Sequence, residues 1–304
     1  MSPLSDLSSS TLRAALREGR LCLRTGAFTV RIRSSIPELA DTLSLLYADY
    51  PAEAAGVFAD FQIHLHRPRG VRRFFRPQVE FDLDGVAPFR PLPLPQAFPM
   101  FEWVYNWHIS SRAHRYLIIH AAVVEKNGRA AILPAPPGSG KSTLCAALVC
   151  SGWRLLSDEL TLVRLEDGLV QPVPRPVSLK NGSIGVIREF APDAIFSPAV
   201  EDTAKGTIAH LKAPRDSVRR ALDSARPGWI IFPRYVAGAD VRLEPIAPAR
   251  TFMRVAENAF NYSVLGRAGF SALGDLTDAA PGYDFSYGRL DEALALFDRL
   301  AATP

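Results

Sequence analysis

The sequence is poor in cysteine and has no long apolar run. Its 304 residues include three cysteines, an odd number without a Cys-x-x-Cys spacing, which argues against a metal–thiolate site and favours a reducing compartment. No apolar run approaches the roughly 18 to 20 residues that a membrane span requires, and the first residues lack a basic-then-apolar signal. We therefore expect a cytoplasmic protein without a membrane partner.

Lysine is scarce among the cations. Only five of the 35 basic residues are lysines, namely Lys126, Lys141, Lys180, Lys205 and Lys212. In a chain that otherwise uses arginine, a lysine can indicate a position where a compact ammonium meets a phosphate. We apply this interpretation to Lys180 and Lys205, for which coincidence is the alternative. The net charge of +4 favours anionic ligands but is too small to predict nucleic acid as a partner.

The most informative motif is the run APPGSGKST at residues 135–143. An apolar segment before it predicts a buried strand, and a helix-forming segment after it predicts a helix. In that context the run is typical of a phosphate-binding loop, in which backbone N–H groups at a helix N-terminus face an anion. The expected nucleotide-binding residues are Gly138, Ser139, Gly140, Lys141, Ser142 and Thr143.

Two details qualify this motif. The first glycine of the usual pattern is replaced by Ala135, which is compatible with phosphate binding if its φ stays negative. The alternative interpretation is a Gly/Ser turn that only caps a helix. In the phosphate-binding reading, Lys141 reaches the outer phosphates and the Ser142 hydroxyl is a ligand of Mg²⁺.

Two acids follow the next predicted strand. Asp158 and Glu159 come 17 and 18 residues after Lys141, just enough for one helix and a returning strand. We expect a parallel sheet in which the loop and the acids emerge at the carboxyl ends of adjacent strands. Carboxylates there can hold Mg²⁺ or accept the proton of an attacking hydroxyl, so we assign Asp158 as a metal ligand and base. A surface Asp-Glu turn is the alternative.

A single histidine interrupts the apolar strand predicted at residues 117–124. An Asn-Gly turn at 127–128 predicts that this strand and the one before the loop are neighbours. His120 would then lie near the terminal phosphate of a bound nucleotide. A hydrogen-bonded core histidine is the alternative.

The pattern along the chain predicts an α/β protein with two domains. Residues 1–99 combine short helices with alternating strands and form a smaller α+β unit, which a proline-rich stretch separates from residues 100–304. A helix at residues 100–115 carries an apolar stripe that we expect to pack on the sheet that follows it. The second domain would hold the nucleotide.

His120 with its apolar strand, the Pro-Gly-Ser-Gly-Lys-Ser loop and the run Gly-Trp-Arg-Leu-Leu-Ser-Asp-Glu resemble the catalytic domain of HPr kinase/phosphorylase and the HPr kinase-related kinases. The likeness covers roughly residues 115–300. It implies a core shared with phosphoenolpyruvate carboxykinase, ATP and Mg²⁺ as cofactors, and transfer of phosphate to a serine of a protein. It also implies that Lys141 and Ser142 bind phosphates and Mg²⁺, that Asp158 is the base and that His120 lies by the transferred group. For the whole molecule, the resemblance implies a homo-oligomer.

The chain departs from that family at two places. Glu159 stands where the family has a second aspartate. A second family signature, in which a glutamate precedes Arg-Gly-x-Gly, would fall near residues 178–185, and there Lys180 and Asn181 occupy the neighbourhood of the missing glutamate. The local charge is therefore basic, which argues against a second metal and against a reverse phosphorylase reaction.

Three functions compete at this stage. The first is an ATP-dependent serine kinase acting on a protein or peptide, with Asp158, His120 and Glu159 at the reacting centre and Lys180 and Lys205 near the phosphates. The second is a nucleotide-gated binding module without kinase activity, which docks a partner through the first domain. The third is a small-molecule kinase or carboxykinase-like enzyme. An acid beside Ser142 favours catalysis over sensing.

Overall fold

The structure is a computed structural model that describes residues 1–54, 57–68, 70 and 75–303. The described helices are α1 (Ser9–Glu18), α2 (Pro37–Leu46), α3 (Ala97–Arg112), α4 (Lys141–Cys150), α5 (Gly182–Phe190), α6 (Arg215–Arg219), α7 (Pro248–Glu257), α8 (Tyr262–Leu265), α9 (Arg267–Ala279) and α10 (Leu290–Ala302). None of these helices is both long and apolar enough to cross a membrane.

The strands of the described residues form three sheets. They are β1 (Ser2–Pro3), β2 (Leu21–Thr25), β3 (Phe28–Ser34), β4 (Pro51–Glu53), β5 (Phe61–His66), β6 (Gln78–Asp82), β7 (Leu92–Pro93), β8 (Tyr116–Lys126), β9 (Arg129–Pro134), β10 (Arg154–Ser157), β11 (Leu160–Arg164), β12 (Val170–Gln171), β13 (Val177–Lys180), β14 (Val200–Thr203), β15 (Gly206–Leu211), β16 (Arg226–Tyr235), β17 (Arg242–Ile246) and β18 (Gly282–Tyr287). Together with the helices they confirm the α/β class in its coarse form.

The first sheet has the strand order β1-β4-β2-β3-β5-β6-β7. Only β3 and β5 run parallel, and the other neighbours are antiparallel. Burial alternates along β3 and β5, as expected of strands with one face on a core. Helices α1 and α3 pack on this sheet, and α2 packs on both helices.

Helix α3 differs from its prediction. It contacts β5, β6, β7 and α2, so it packs on the sheet that precedes it rather than on the one that follows. The apolar surface of α3 is wider than one stripe, because Met100 and Val104 are buried in addition to Phe98, Phe101 and Tyr105 on another face. The boundary expected between residues 99 and 100 falls inside this helix, and the division into two domains stays a prediction.

The second sheet has the order β12-β11-β8-β9-β16-β18-β17, and β10 pairs with β8 beyond the end of β11. The strands β9, β16 and β18 are parallel, whereas β8 is antiparallel to β9, β10 and β11. Alternate residues of β8 belong to two apolar clusters, one with α4 and α10 and the other with α7 and α9. Helices therefore cover both faces, which explains the almost unbroken apolar run of β8.

The third sheet is small and antiparallel, with the order β13-β15-β14. Helix α5 follows β13 after Asn181, which has a φ of 50°. Left-handed φ values are uncommon for residues other than glycine. This sheet contacts α4 through β13, so it lies beside the helix that follows the 135–143 run.

Candidate active site

Residues 135–140 of the run lie between β9 and α4, and residues 141–143 form the first turn of α4, so the run joins a strand to a helix as the sequence predicts. We call residues 135–140 the glycine loop. Gly138 and Gly140 have φ values of 85° and 88°, a region that favours glycine, whereas Ala135 is buried and is not among the residues with positive φ. The N-cap residue of α4, Gly140, has no side chain to cap the helix, and the Lys141 N–H makes one long hydrogen bond, of 3.4 Å, to Ser139 Oγ. The first N–H groups of α4 therefore point out of the helix without an intrahelical acceptor and attract an anion.

Two tyrosines hold the glycine loop against the sheet. The backbone N–H of Tyr235 donates to the Ser139 carbonyl at 2.9 Å, and the Tyr287 hydroxyl donates to the Gly140 carbonyl at 3.3 Å. A Cβ at Gly140 would lie 2.8 Å from that hydroxyl and 2.9 Å from the Tyr235 Cβ. Position 140 therefore requires glycine for space as well as for its φ.

The strands that carry the loop and the acids are not adjacent, which corrects the prediction of neighbouring parallel strands. β8 lies between β9 and β10 and is antiparallel to both. β9 and β10 consequently run in the same direction, and their carboxyl ends reach the same edge of the sheet. The inserted strand leaves the loop and the acids together, as expected, but separates the strands that carry them.

Asp158 lies beside the first turn of α4. Its Oδ2 accepts hydrogen bonds from the Ser142 hydroxyl at 3.4 Å and from the Ser178 backbone N–H at 3.1 Å, while its Oδ1 is buried without a partner. Burial and the neighbouring charge of Glu159 raise the pKa of Asp158 to about 6, against the opposing charge of Lys141. The carboxyl group can therefore exchange a proton near neutral pH.

Glu159 pairs with His120 on the partly exposed side of the site. The two side chains lie 3.1 Å apart between Glu159 Oε2 and His120 Nε2, and each is partly exposed. Burial acts to raise the pKa of Glu159, but the hydrogen bond with His120 and the charges of Lys141, His120 and Lys180 prevail and lower it to about 2. Glu159 is thus held as a carboxylate against the imidazole ring.

Lys141 is the buried cation of the site. Its side chain is 8% exposed, and Nζ has no hydrogen-bond partner within the described residues. The unpaired ammonium of Lys141 and the unpaired carboxylate oxygen Oδ1 of Asp158 are therefore both found at the start of α4. Buried polar atoms are normally satisfied, so both atoms indicate a ligand that is anionic near Lys141 and cationic or proton-donating near Asp158.

The structure brings five of the predicted residues into this region: His120, Lys141, Ser142, Asp158 and Glu159. Lys180 ends β13 within electrostatic reach of Glu159. Ser139 belongs to the loop, and Thr143 lies in the first turn of α4. Lys205 lies on an exposed turn between β14 and β15, where its carbonyl accepts from Asn181 Nδ2 at 3.5 Å, so its predicted role rests on the sequence alone.

Three features of the site carry no motif in the sequence. The Ser178 amide reaches Asp158 because β13 ends beside α4. The Phe260 ring, 51% exposed, lies 5.6 Å from the His120 ring. Tyr235 sits beside the loop because β16 is the parallel neighbour of β9.

Metal coordination in the described residues is sparse. No group of three or more His, Cys, Asp or Glu side chains is arranged to hold a metal ion there. The Ser142 hydroxyl and the Asp158 carboxylate supply only two protein side chains as ligands. Such a pair suits Mg²⁺, which usually keeps several waters and takes further oxygens from substrate phosphates.

Comparisons with known proteins give limited matches. A family model described as SynChlorMet cassette protein ScmC matches residues 96–178, which include the glycine loop and both acids. Among solved structures, the chain is similar to the HPr(Ser) kinase/phosphatase from Coxiella burnetii, with 15% identity and a TM-score of 0.27. That match covers 60% of this chain and 96% of the other, and a likeness this loose carries no argument about function. The comparison with curated proteins found no match.

Proposed function

We propose that this chain is an ATP-dependent kinase that transfers the γ-phosphoryl group to a serine hydroxyl of a protein or peptide. The observation that carries the proposal is the pair of unpartnered buried atoms, Lys141 Nζ and Asp158 Oδ1, at the start of α4, whose N-cap residue has no side chain. A triphosphate satisfies the first atom, and a hydroxyl proton satisfies the second. The resemblance to HPr kinase-related kinases in the sequence supports the same reaction.

The glycine loop would bind the phosphates of ATP. The open left-handed backbone at Gly138 and Gly140 lets N–H groups approach phosphate oxygens without an intervening Cβ. Lys141 adds a full positive charge from a buried position, where electrostatic interactions are stronger than in water. Ser139 and Thr143 would contribute hydroxyl groups at the two ends of this cradle.

Ser142 and Asp158 would hold Mg²⁺ through their oxygens. Bound there, the ion neutralises phosphate charge and orients the transferred group. The Ser142 hydroxyl is already oriented by Asp158 Oδ2 at 3.4 Å. The Ser178 amide fixes the same carboxylate oxygen from the other side, at 3.1 Å. Both hydrogen bonds fix the orientation of the carboxylate before the substrates arrive.

Asp158 would also act as the base. As the substrate oxygen forms its bond to the γ-phosphorus, the bond between that phosphorus and the bridging oxygen breaks and ADP leaves. The serine proton passes to Asp158, whose Oδ1 is buried without a hydrogen-bond partner and is therefore free to accept it. Water then removes the proton and restores the carboxylate.

Lys180 would offset charge on the transferred group, and His120 would lie beside that group. Phosphoryl transfer spreads negative charge over three equatorial oxygens, and cations placed near them lower the barrier. The hydrogen bond between Glu159 Oε2 and His120 Nε2 fixes the position of the imidazole ring. In this scheme Glu159 positions His120 rather than binding a second metal. Lys205, on the β14–β15 turn, would supply a further cation if that turn closes over the phosphates.

The test is transfer of label from γ-labelled ATP and Mg²⁺ to a library of serine-containing peptides. We expect a labelled peptide with the wild-type protein and a loss of about 100-fold or more in rate for Asp158→Asn, the usual contribution of a general base. Asp41→Asn, at an aspartate that is 65% exposed on α2, is the matched control and should keep full activity.

Each other outcome assigns a different function. Binding of ATP without any labelled product would support a nucleotide-gated module. Label on a small molecule only would support a small-molecule kinase. Full activity of Asp158→Asn would remove the base assignment.

A further inference from the structure

The acids and the two tyrosines lie on opposite sides of the glycine loop. In the sheet order, β8 and β10 are on one side of β9, and β16 and β18 are on the other. Asp158 follows β10, whereas Tyr235 and Tyr287 end β16 and β18 at the same edge of the sheet. The loop therefore has an acidic flank and an aromatic flank.

Tyr235 has an exposed aromatic ring and a backbone that is held by a hydrogen bond. Its residue is 52% exposed, although its N–H is bound to the Ser139 carbonyl at 2.9 Å. The ring packs edge-on against Tyr287, with 5.7 Å between centroids, and Tyr287 itself is 1% exposed. Ile231 and Trp229, two and three alternations before Tyr235 on the same strand face, belong to the cluster that includes α4. Tyr235 consequently projects on the side of the sheet where α4 begins.

The direction of a bound triphosphate follows from the two flanks. If the γ-phosphate lies by Asp158, as the proposed function requires, the nucleoside end of the molecule extends toward the opposite flank. An exposed, rigid aromatic ring is what a nucleobase stacks on, and stacking tolerates any base because every base has a π face.

We propose that Tyr235 is the stacking platform for the nucleobase of the bound nucleoside triphosphate. This inference rests on the proposed function. It predicts that the loop binds the phosphates and Tyr235 binds the base, so that the two contributions can be separated by comparing a nucleotide with a bare polyphosphate.

The experiment measures binding of Mg²⁺-ATP and of Mg²⁺-tripolyphosphate by calorimetry to the full chain and its variants. Tyr235→Ala should weaken ATP binding by about tenfold, within the range for base–aromatic stacking, and leave tripolyphosphate binding within about twofold. Tyr235→Phe keeps the ring and should keep ATP affinity. Phe58→Ala, at a residue that is 82% exposed between β4 and β5, is the control for loss of a surface aromatic and should leave the affinity for both ligands unchanged.

Three results would overturn the inference or its foundation, and they are distinguishable. Equal losses of ATP and tripolyphosphate in Tyr235→Ala would mean that Tyr235 acts through the loop and not on the base. Equal affinity of the wild-type protein for the two ligands would exclude a base subsite and leave the phosphate site intact. Binding of neither ligand to the wild-type protein would overturn the proposed function, and the inference with it. Thermal melting of each variant without ligand checks that it is folded.

Discussion

The hydroxyl of Ser142 donates to Oδ2 of Asp158 across 3.4 Å, although one helix and one strand separate the two residues in the chain. The contact joins the first turn of α4 to the residue that follows β10. It places a neutral oxygen and a carboxylate where they can share one small cation. The proposed Mg²⁺ site depends on this pair.

Removal of the Ser142 hydroxyl is expected to raise the Mg²⁺ requirement. In Ser142→Ala the cation loses one protein oxygen, so we expect the Mg²⁺ concentration for half-maximal ATP binding to rise by roughly 10- to 100-fold, the scale for lost metal-site support. Ser142→Thr keeps the hydroxyl and should stay near the wild-type value. Calorimetric titration of ATP at a series of Mg²⁺ concentrations gives the comparison. An unchanged requirement in Ser142→Ala would remove this residue from the metal site.

Lys141 is expected to be irreplaceable by arginine. Only 8% of the residue is exposed, and a planar guanidinium is larger than an ammonium and needs several acceptors. Although this chain uses arginine for most of its cations, we expect Lys141→Arg to weaken ATP binding at least tenfold. Lys126→Arg is the matched control, because that lysine makes a part-exposed ion pair with Asp298 at 2.7 Å. Calorimetry on both variants measures the difference, and similar affinities would show that charge alone is sufficient at position 141.

The strand–loop–helix unit around Lys141 was predictable because its signals are local. Glycines, a lysine and two apolar segments within about twenty residues specify it. Strand order is not local: nothing near Asp158 indicates that β8 is inserted between β9 and β10. The proline-rich stretch also contains a strand that its composition does not indicate, because Leu92–Pro93 pairs with β6 at the edge of the first sheet, a place where proline is tolerated.

The pairing of His120 with Glu159 illustrates the same limit. The sequence placed each residue near the reaction separately, but their contact depends on the register of β8 with β11, which puts His120 opposite Leu160. Tyr235 gave no signal because an exposed tyrosine at the end of a strand is common. Its position becomes informative only when the loop is seen beside it.

The two acids are expected to have opposite effects on stability. Asp158 has a folded-state pKa of about 6, above the ordinary 3.8. Its ionisation therefore lowers the free energy of unfolding. This loss of stability is complete above pH 6 and absent below pH 3.8. Glu159 has a folded-state pKa of about 2, below the ordinary 4.5, so its charge stabilises the folded protein above pH 4.5, and that stability is lost as the pH falls toward 2.

At pH 7 and without ligand, we expect Asp158→Asn to increase the free energy of unfolding by about 1 to 3 kcal/mol and Glu159→Gln to decrease it by a similar amount. The gain in Asp158→Asn should disappear near pH 4. Urea unfolding at several pH values provides the measurement, with Glu257→Gln, at an exposed glutamate of α7, as the neutral control. Two changes of the same sign at pH 7 would contradict this account of the pair.

The glycine loop offers a test that separates backbone strain from lack of space. Gly138 and Gly140 have φ values of 85° and 88°, so alanine is strained at both, by about 1 kcal/mol. Only at Gly140 does the new Cβ meet neighbours, 2.8 Å from the Tyr287 hydroxyl and 2.9 Å from the Tyr235 Cβ, whereas at Gly138 it meets open space. We therefore expect Gly140→Ala to cost roughly 1 to 3 kcal/mol more than Gly138→Ala, because overpacking adds to strain.

Chemical denaturation of both variants measures that difference. Adding Tyr287→Phe to Gly140→Ala removes the nearer of the two contacting atoms and should recover part of the lost stability, whereas adding it to Gly138→Ala should not. Equal costs at the two positions would mean that the loop shifts freely away from the tyrosines. In that case Tyr235 and Tyr287 do not hold the loop in place, and the fixed position of the Tyr235 ring beside the phosphates would lose its structural basis.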